Sequence, residues 1–192
     1  MTLAHPDQIA STFERILEEM DRRIQGLLKA KQDKLTDFTE QPRLFILVEE
    51  YVSAMAALDA IDTAAARKAA EKVAPKVRAA LFRLCLESRK IGGSVFICAQ
   101  RSDAQYLGGL LRSQLIQKFS MRQDPDGLLM NHPGISPEEV EKAQSFRPGH
   151  GYAQFPGAPG LVEFQADMIT YQEFRQVFEE RERPPRAARV LL

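Results

Sequence analysis

The chain has 192 residues, with 26 basic and 26 acidic side chains that cancel, so overall charge is excluded as a basis for attraction to nucleic acid or membrane, and only local patches remain. Its length suits one domain with a real core. Cys85 and Cys98 stand in apolar surroundings without CxxC or Cys/His spacing, which argues against a structural zinc site and reads as buried free thiols in a reducing compartment.

From Pro6 to about Lys31 the apolar positions Phe13, Ile16, Leu17, Met20, Ile24 and Leu27 recur at three-and-four spacing, which predicts one helix with a single apolar stripe. Its opposite face, with Glu14, Asp21, Arg22 and Arg23, is expected to be solvated. Gln32 to Pro42 reads as a loop. Arg43 to Val48 is, after its first residue, continuously apolar without alternation, the pattern of a strand covered on both faces. An alanine-rich helical stretch follows from Ser53 to Ala74. Pro75 then opens a helix that buries Val77, Ala80, Leu81, Leu84 and Cys85 and ends at Gly92-Gly93. Ser94 to Ala99 is a second apolar strand. Two strands separated by helix, each ending in polar residues, predict an α/β fold with a mainly parallel sheet flanked by helices.

Further along, Gly108 to Gln117 predicts a helix and Lys118 to Arg122 a third strand. Asp124-Pro125-Asp126-Gly127 reads as a turn by composition, and Ser136-Pro137-Glu138-Glu139 as a capped helix start. Tyr152 to Phe155 and Leu161 to Gln165 predict a hairpin at the sheet edge. Thr170 to Glu173 repeats the capping pattern before a last helix through Phe174 and Phe178. Residues 181–192 are rich in proline and arginine and are expected to form a flexible tail. There is no unbroken apolar stretch of signal-peptide type, nor one long enough to span a bilayer, so the expected location is the cytoplasm, with any membrane association through a partner.

The first strand, LFILV, runs directly into Glu49 and Glu50. In doubly wound sheets ligands bind beyond the carboxyl ends of the strands, where Glu49, Glu50, Gln100 and Arg101 are all expected. A hydrophobic strand ending in two acids has the form of a Walker B element, although a solvated strand end gives the same pattern.

Four pieces of the chain resemble, in order, the FtsK/SpoIIIE family of hexameric DNA-translocating ATPases: EEMDRR, Glu18 to Arg23; SRKIGGSVFICAQRSD, with Cys98-Ala99-Gln100-Arg101 closing the strand; GLLRSQLIQKFSMR; and FRPGHGYAQ. Together they span about residues 7 to 178. The resemblance implies a RecA-like fold of the P-loop NTPase type, in a partial motor domain over residues 1–180. It places Glu49 where the family orients the magnesium shell through water and Glu50 where it has the catalytic carboxylate. Gln100 falls on the glutamine that senses the γ-phosphate. Arg89 falls on the arginine before that strand, a candidate to act on a neighbour's phosphate; Arg101 is an equal candidate for a phosphate-binding role. Arg112 and Lys118 are candidates for double-stranded DNA backbone contact, or for a solvated helix face.

The departures carry weight too. The family's Asp is Glu49 here, one methylene longer against a magnesium shell of exacting geometry. No GxxxxGK[ST] occurs, so no loop of backbone N–H groups cradles phosphates. The family's loop precedes the EEMDRR helix, so the P-loop strand is expected to be missing from the fold. ATP and magnesium are then expected to bind only when another segment or subunit supplies that loop.

The implied function is the Walker B, sensor and intersubunit half of an ATP-driven double-stranded DNA translocase of FtsK/HerA type, in conjugative transfer or chromosome partition. Its partners would be a P-loop-bearing segment, DNA and further subunits of an oligomer, a hexameric ring by resemblance. Two alternatives remain open. The chain is a noncatalytic assembly or regulatory subunit packed on a P-loop partner, or an α/β domain whose acids are incidental. The missing strand is also expected to leave a sheet edge for a partner, self-association or a rearranged sheet to cover.

Overall fold

The apolar stripe at the start of the chain produces α1, Pro6–Ala30. In this structure, a computed structural model, residues 6–100 and 107–179 are described. They fall into two units divided between Gln100 and Arg101. Helix α1 ends in a Schellman arrangement, with the Gln32 amide donating to the Leu27 carbonyl at 2.9 Å and Lys31 held at φ 54°.

In the first unit, β1, Leu44–Val48, pairs in parallel with β2, Gly93–Ile97, in the register Leu44–Gly93 through Val48–Ile97. Between them run α2, Tyr51–Ala64, and α3, Val73–Glu87, the latter followed by a 3-10 turn, Ser88–Ile91. Pro75 sits in the first turn of α3, where its missing N–H costs nothing. One face of the strand pair packs on α1 and α3: Met20, Leu27, Ile46, Leu84 and Ile91 form the core, with Leu44 and Val95 against it. On the other face two aromatic rings are exposed. Phe45 is 57% exposed and Phe96 44%, their rings 4.7 Å apart, so the expected strand buried on both faces is corrected to one buried on a single face.

Arg23 corrects a second expectation. It lies on α1 among charged neighbours yet is only 6% exposed. Its guanidinium donates to Glu19 at 2.7 Å, to the Pro42 carbonyl at 2.8 Å and to the Ile91 carbonyl at 3.4 Å. A rigid planar fork can satisfy three acceptors at once and so can be buried charged. Between Arg22 and Arg23, the Glu19 carboxyl is held down at about 2.

In the second unit, α4, Gly109–Gln114, precedes an antiparallel sheet in the order β3–β4–β5: Lys118–Met121, His150–Gln154 and Val162–Gln165. The predicted hairpin is β4–β5. The strands among the described residues are thus divided between a parallel pair and a three-stranded antiparallel sheet, a mixed arrangement in place of one mainly parallel sheet. Asp124-Pro125-Asp126-Gly127 starts a helix, α5, Pro125–Asn131, in place of the expected turn. The Asp124 carboxylate accepts from the Gly127 amide at 2.7 Å and Pro125 takes the first helical position, the same chemistry that favours a turn here serving as a cap.

The expected capping box opens α6, Pro137–Gln144. Leu128, Ile135, Ala143, Phe146 and Tyr152 form the core between these helices and one face of the sheet. The final helix α7, Tyr171–Glu179, follows the Thr170–Glu173 box, in which each residue's side chain accepts from the other's amide. Among the described residues no helix is long and apolar enough to cross a membrane.

Candidate functional site

Hydrogen bonding between the two parallel strands continues past their ends. The Cys98 amide donates to the Val48 carbonyl at 2.8 Å, and the Tyr51 amide donates to the Cys98 carbonyl at 3.0 Å. Glu49 and Glu50 are therefore fixed between two residues bonded to Cys98, and Gln100 lies two residues beyond it. The acids and the glutamine share the carboxyl-terminal rim of β1 and β2.

Within that rim the two acids differ. Glu49 is exposed. Glu50 is half-buried and occupies the residue before α2, but its carboxylate does not cap the helix. Its Oε1 is buried and has no hydrogen-bond partner among the described residues, an arrangement with a cost of about 1–3 kcal/mol when it goes uncompensated. The Cys98 thiol is pushed up by burial and further by the charges of Glu49 and Glu50. That coupling places both carboxylates beside it, although Cys98 is exposed where a buried thiol was expected. Cys85 is half-buried, its thiol pushed up by burial to about 11.

Two adjacent carboxylates, one with a free buried oxygen, are hard oxygen donors of the kind magnesium takes alongside several waters. No group of three or more His, Cys, Asp or Glu side chains that could hold a metal occurs among the described residues.

Arg89 is not part of this rim. It is exposed in the turn at the opposite, amino-terminal end of β2, about 15 Å away along the strand. Arg101 lies outside the described residues, as do Arg183, Arg186 and Arg189. In the second unit, Arg112 and Lys118 are half-buried near each other, without a carboxylate partner among the described residues; burial and then the Arg112 charge push the Lys118 ammonium down.

Three polar groups escaped the sequence reading. Arg23 is one. Asp62 is a second: it is 3% exposed near the end of α2, yet it accepts from the Val73 and Ala74 amides at 3.0 and 2.9 Å and so caps α3. The third is His132, 1% exposed, with Nε2 2.9 Å from Ser120 Oγ and Nδ1 3.3 Å from Gln154 Oε1. An Nδ1–H facing Gln154 leaves Nε2 to accept from the Ser120 hydroxyl. Ser120 is itself buried, so this serine-histidine pair is a structural network with no route for a substrate.

No family model and no curated protein matches the chain. Solved structures do. The conjugation coupling protein TcpA of pCW3, in its monomer form with ATPγS, superposes with a TM-score of 0.70 at 16% identity, over 94% of this chain and 50% of that one. The chain has the fold of these ATPases. A second neighbour, the cytoplasmic domain of the type VII secretion ATPase EccC of Thermomonospora curvata, gives a TM-score of 0.63 at 19% identity, over 85% of this chain and 18% of that one. Both are FtsK/SpoIIIE-type motors, the family whose motifs the sequence resembles. The chain spans half the length of the TcpA chain and under a fifth of the EccC cytoplasmic domain.

Proposed function

We propose that the chain is the Walker B and sensor half of an FtsK/HerA-type ATPase that moves double-stranded DNA. The observation that carries this reading is the convergence of Glu49, Glu50 and Gln100 on one strand rim, in a fold shared with a coupling protein solved with ATPγS. Glu49 would orient the magnesium shell through water and Glu50 would polarise the attacking water. Gln100 would sense the terminal phosphate. Magnesium, when bound with nucleotide, supplies charge to stabilise phosphoryl transfer.

Arg89, at the far end of β2, serves such a site only across a subunit boundary. This fits an oligomer, with Arg101 the second candidate for phosphate. Arg112 and Lys118, two neighbouring cations without a carboxylate partner among the described residues, suit a phosphate backbone such as that of DNA. Conjugative transfer or chromosome partition in the cytoplasm is the setting this reading implies.

A second reading, a noncatalytic assembly subunit packed on a P-loop partner, is favoured by Glu49 in place of Asp. An ATPase assay separates the two. The purified chain is expected to show no turnover, and the tagged chain isolated with its cellular partners should show magnesium-dependent turnover that Glu50→Gln abolishes. Turnover indifferent to Glu50→Gln supports the assembly reading. Turnover by the purified chain overturns the requirement for a partner.

A further inference from the structure

The buried network around His132 lies against two cations. Lys118 and Ser120 are alternate residues of β3 and so share a face of the sheet. Gln154, on β4, lies opposite Lys118 in the register. His132 is bonded to Ser120 on one side and to Gln154 on the other, which brings its ring to the patch that holds Lys118. Arg112, on α4, is half-buried like Lys118. Burial and then the Arg112 charge push the Lys118 ammonium down, and Lys118 in turn adds to the effect of burial on His132. Half-buried like charges repel one another, and an anion among them relieves the repulsion.

The acids on the surrounding elements do not supply that anion. Glu139 of α6 faces His132, but its carboxylate accepts from the Ser136 amide at 2.8 Å in the capping box. Asp124 and Asp126 lie at the start of α5, the end away from His132. Strands β3 and β4 contain no acid, and Tyr152, pushed up by burial, stays neutral. The ring can also take a proton where it stands. Neutral, its Nε2 accepts from the Ser120 hydroxyl; protonated, it donates to Ser120 Oγ, which accepts from Asn131 Nδ2 and has a second lone pair to offer. The Nδ1–H bond to Gln154 is the same in both forms. Burial and the Lys118 charge oppose the proton, and an anion on Lys118 offsets the second of these.

We propose that Arg112 and Lys118 hold a tetrahedral oxyanion such as a backbone phosphate, and that His132 behind them takes up a proton as it binds, so that the chain grips the anion more tightly as pH falls. This rests on the phosphate-backbone reading of Arg112 and Lys118 above and gives that contact its regulation. The coupling is reciprocal: the anion raises the proton affinity of His132 by the factor by which the proton raises affinity for the anion.

The test measures binding of a short DNA duplex, and separately of sulfate, to the full chain at fixed ionic strength. Both ligands keep their charge between about pH 7.5 and about pH 5.5, the range in which histidine titrates. Binding is expected to be about five- to tenfold tighter at the lower pH. His132→Gln should remove that difference and His150→Gln should retain it. Because His132→Gln also alters a buried network, the His132 imidazole is followed by NMR in the unaltered chain. Its titration midpoint should rise when ligand saturates the chain, and Lys118→Gln should raise it without ligand. A midpoint that neither ligand moves, or a pH dependence that survives His132→Gln, overturns the proposal. The two readings fail separately. Duplex bound equally at both pH values leaves the DNA contact standing and removes the linkage. Sulfate that moves the His132 midpoint in a chain that binds no duplex leaves the anion site and its linkage standing and removes the DNA contact.

Discussion

Arg23 of α1 donates to the Pro42 carbonyl, 19 residues away, at 2.8 Å. The same guanidinium reaches the Ile91 carbonyl, so one buried side chain ties the helix to the entrances of both parallel strands. Arg23→Ala removes these bonds and leaves buried carbonyls without a partner. We expect a loss of about 2–4 kcal/mol, read as a lower midpoint in chemical denaturation. Arg23→Lys should recover little, because one ammonium on a flexible stem cannot reproduce the fork.

Asp62 caps a helix from the end of the preceding one. Burial opposes its ionisation, but the Val73 and Ala74 amides and the Arg67 guanidinium outweigh that and hold the carboxyl below its usual range. The unfolded chain titrates near pH 3.9 and the folded chain lower, so the stability this group provides is complete above about pH 5 and is lost as pH falls through the folded value. Asp62→Ala should cost about 1–3 kcal/mol at neutral pH. It should also flatten the acid limb of a stability-against-pH curve.

For His132 the window lies higher. Burial pushes the imidazole down, and Lys118 adds to this, against Gln154 and Glu139. Below about pH 6.5 the unfolded chain takes up a proton that the folded chain refuses. Stability should therefore fall from pH 7.5 towards pH 5.5, and denaturation of His132→Gln over the same range should show a smaller slope.

Two glycines are fixed by their neighbours. A β-carbon on Gly151 would overlap the Ser120 carbonyl oxygen across the β3–β4 ladder, and one on Gly92, at φ 74°, would overlap the Phe38 ring. Either alanine variant should cost about 2 kcal/mol or more. Ala66, at φ 48°, is the converse: Ala66→Gly should stabilise by up to about 1 kcal/mol, seen as a raised melting temperature.

Glu50 should behave unlike a structural residue. Its buried oxygen has no partner among the described residues, so Glu50→Gln is expected to leave the purified chain as stable as before, or more so by up to about 1 kcal/mol. A drop of more than about 1 kcal/mol would make Glu50 a structural group and weaken the case for the rim as a site.

Local pattern was enough for the elements whose causes are local. The α1 stripe, the two apolar strands, the Ser136 and Thr170 caps and the β4–β5 hairpin each depend on a few neighbouring side chains, and periodicity or capping chemistry names them directly. The convergence of Glu49, Glu50 and Gln100 was legible because strand ends in a parallel pair share a rim. Asp124 to Gly127 was not, since the residues that favour a turn also cap a helix, and the packing of Leu128 beneath the sheet decides between them.

What only tertiary structure settled is which polar groups go inside and which apolar ones stay out. Arg23 looks solvated on its helix until Pro42 and Ile91 are brought beside it from 19 and 68 positions away. Asp62 becomes a cap, and His132 the centre of a buried network, for the same reason. Phe45 and Phe96 read as core by hydrophobicity, yet hydrophobicity does not specify how many layers will cover a strand, and here both rings stay exposed on one face.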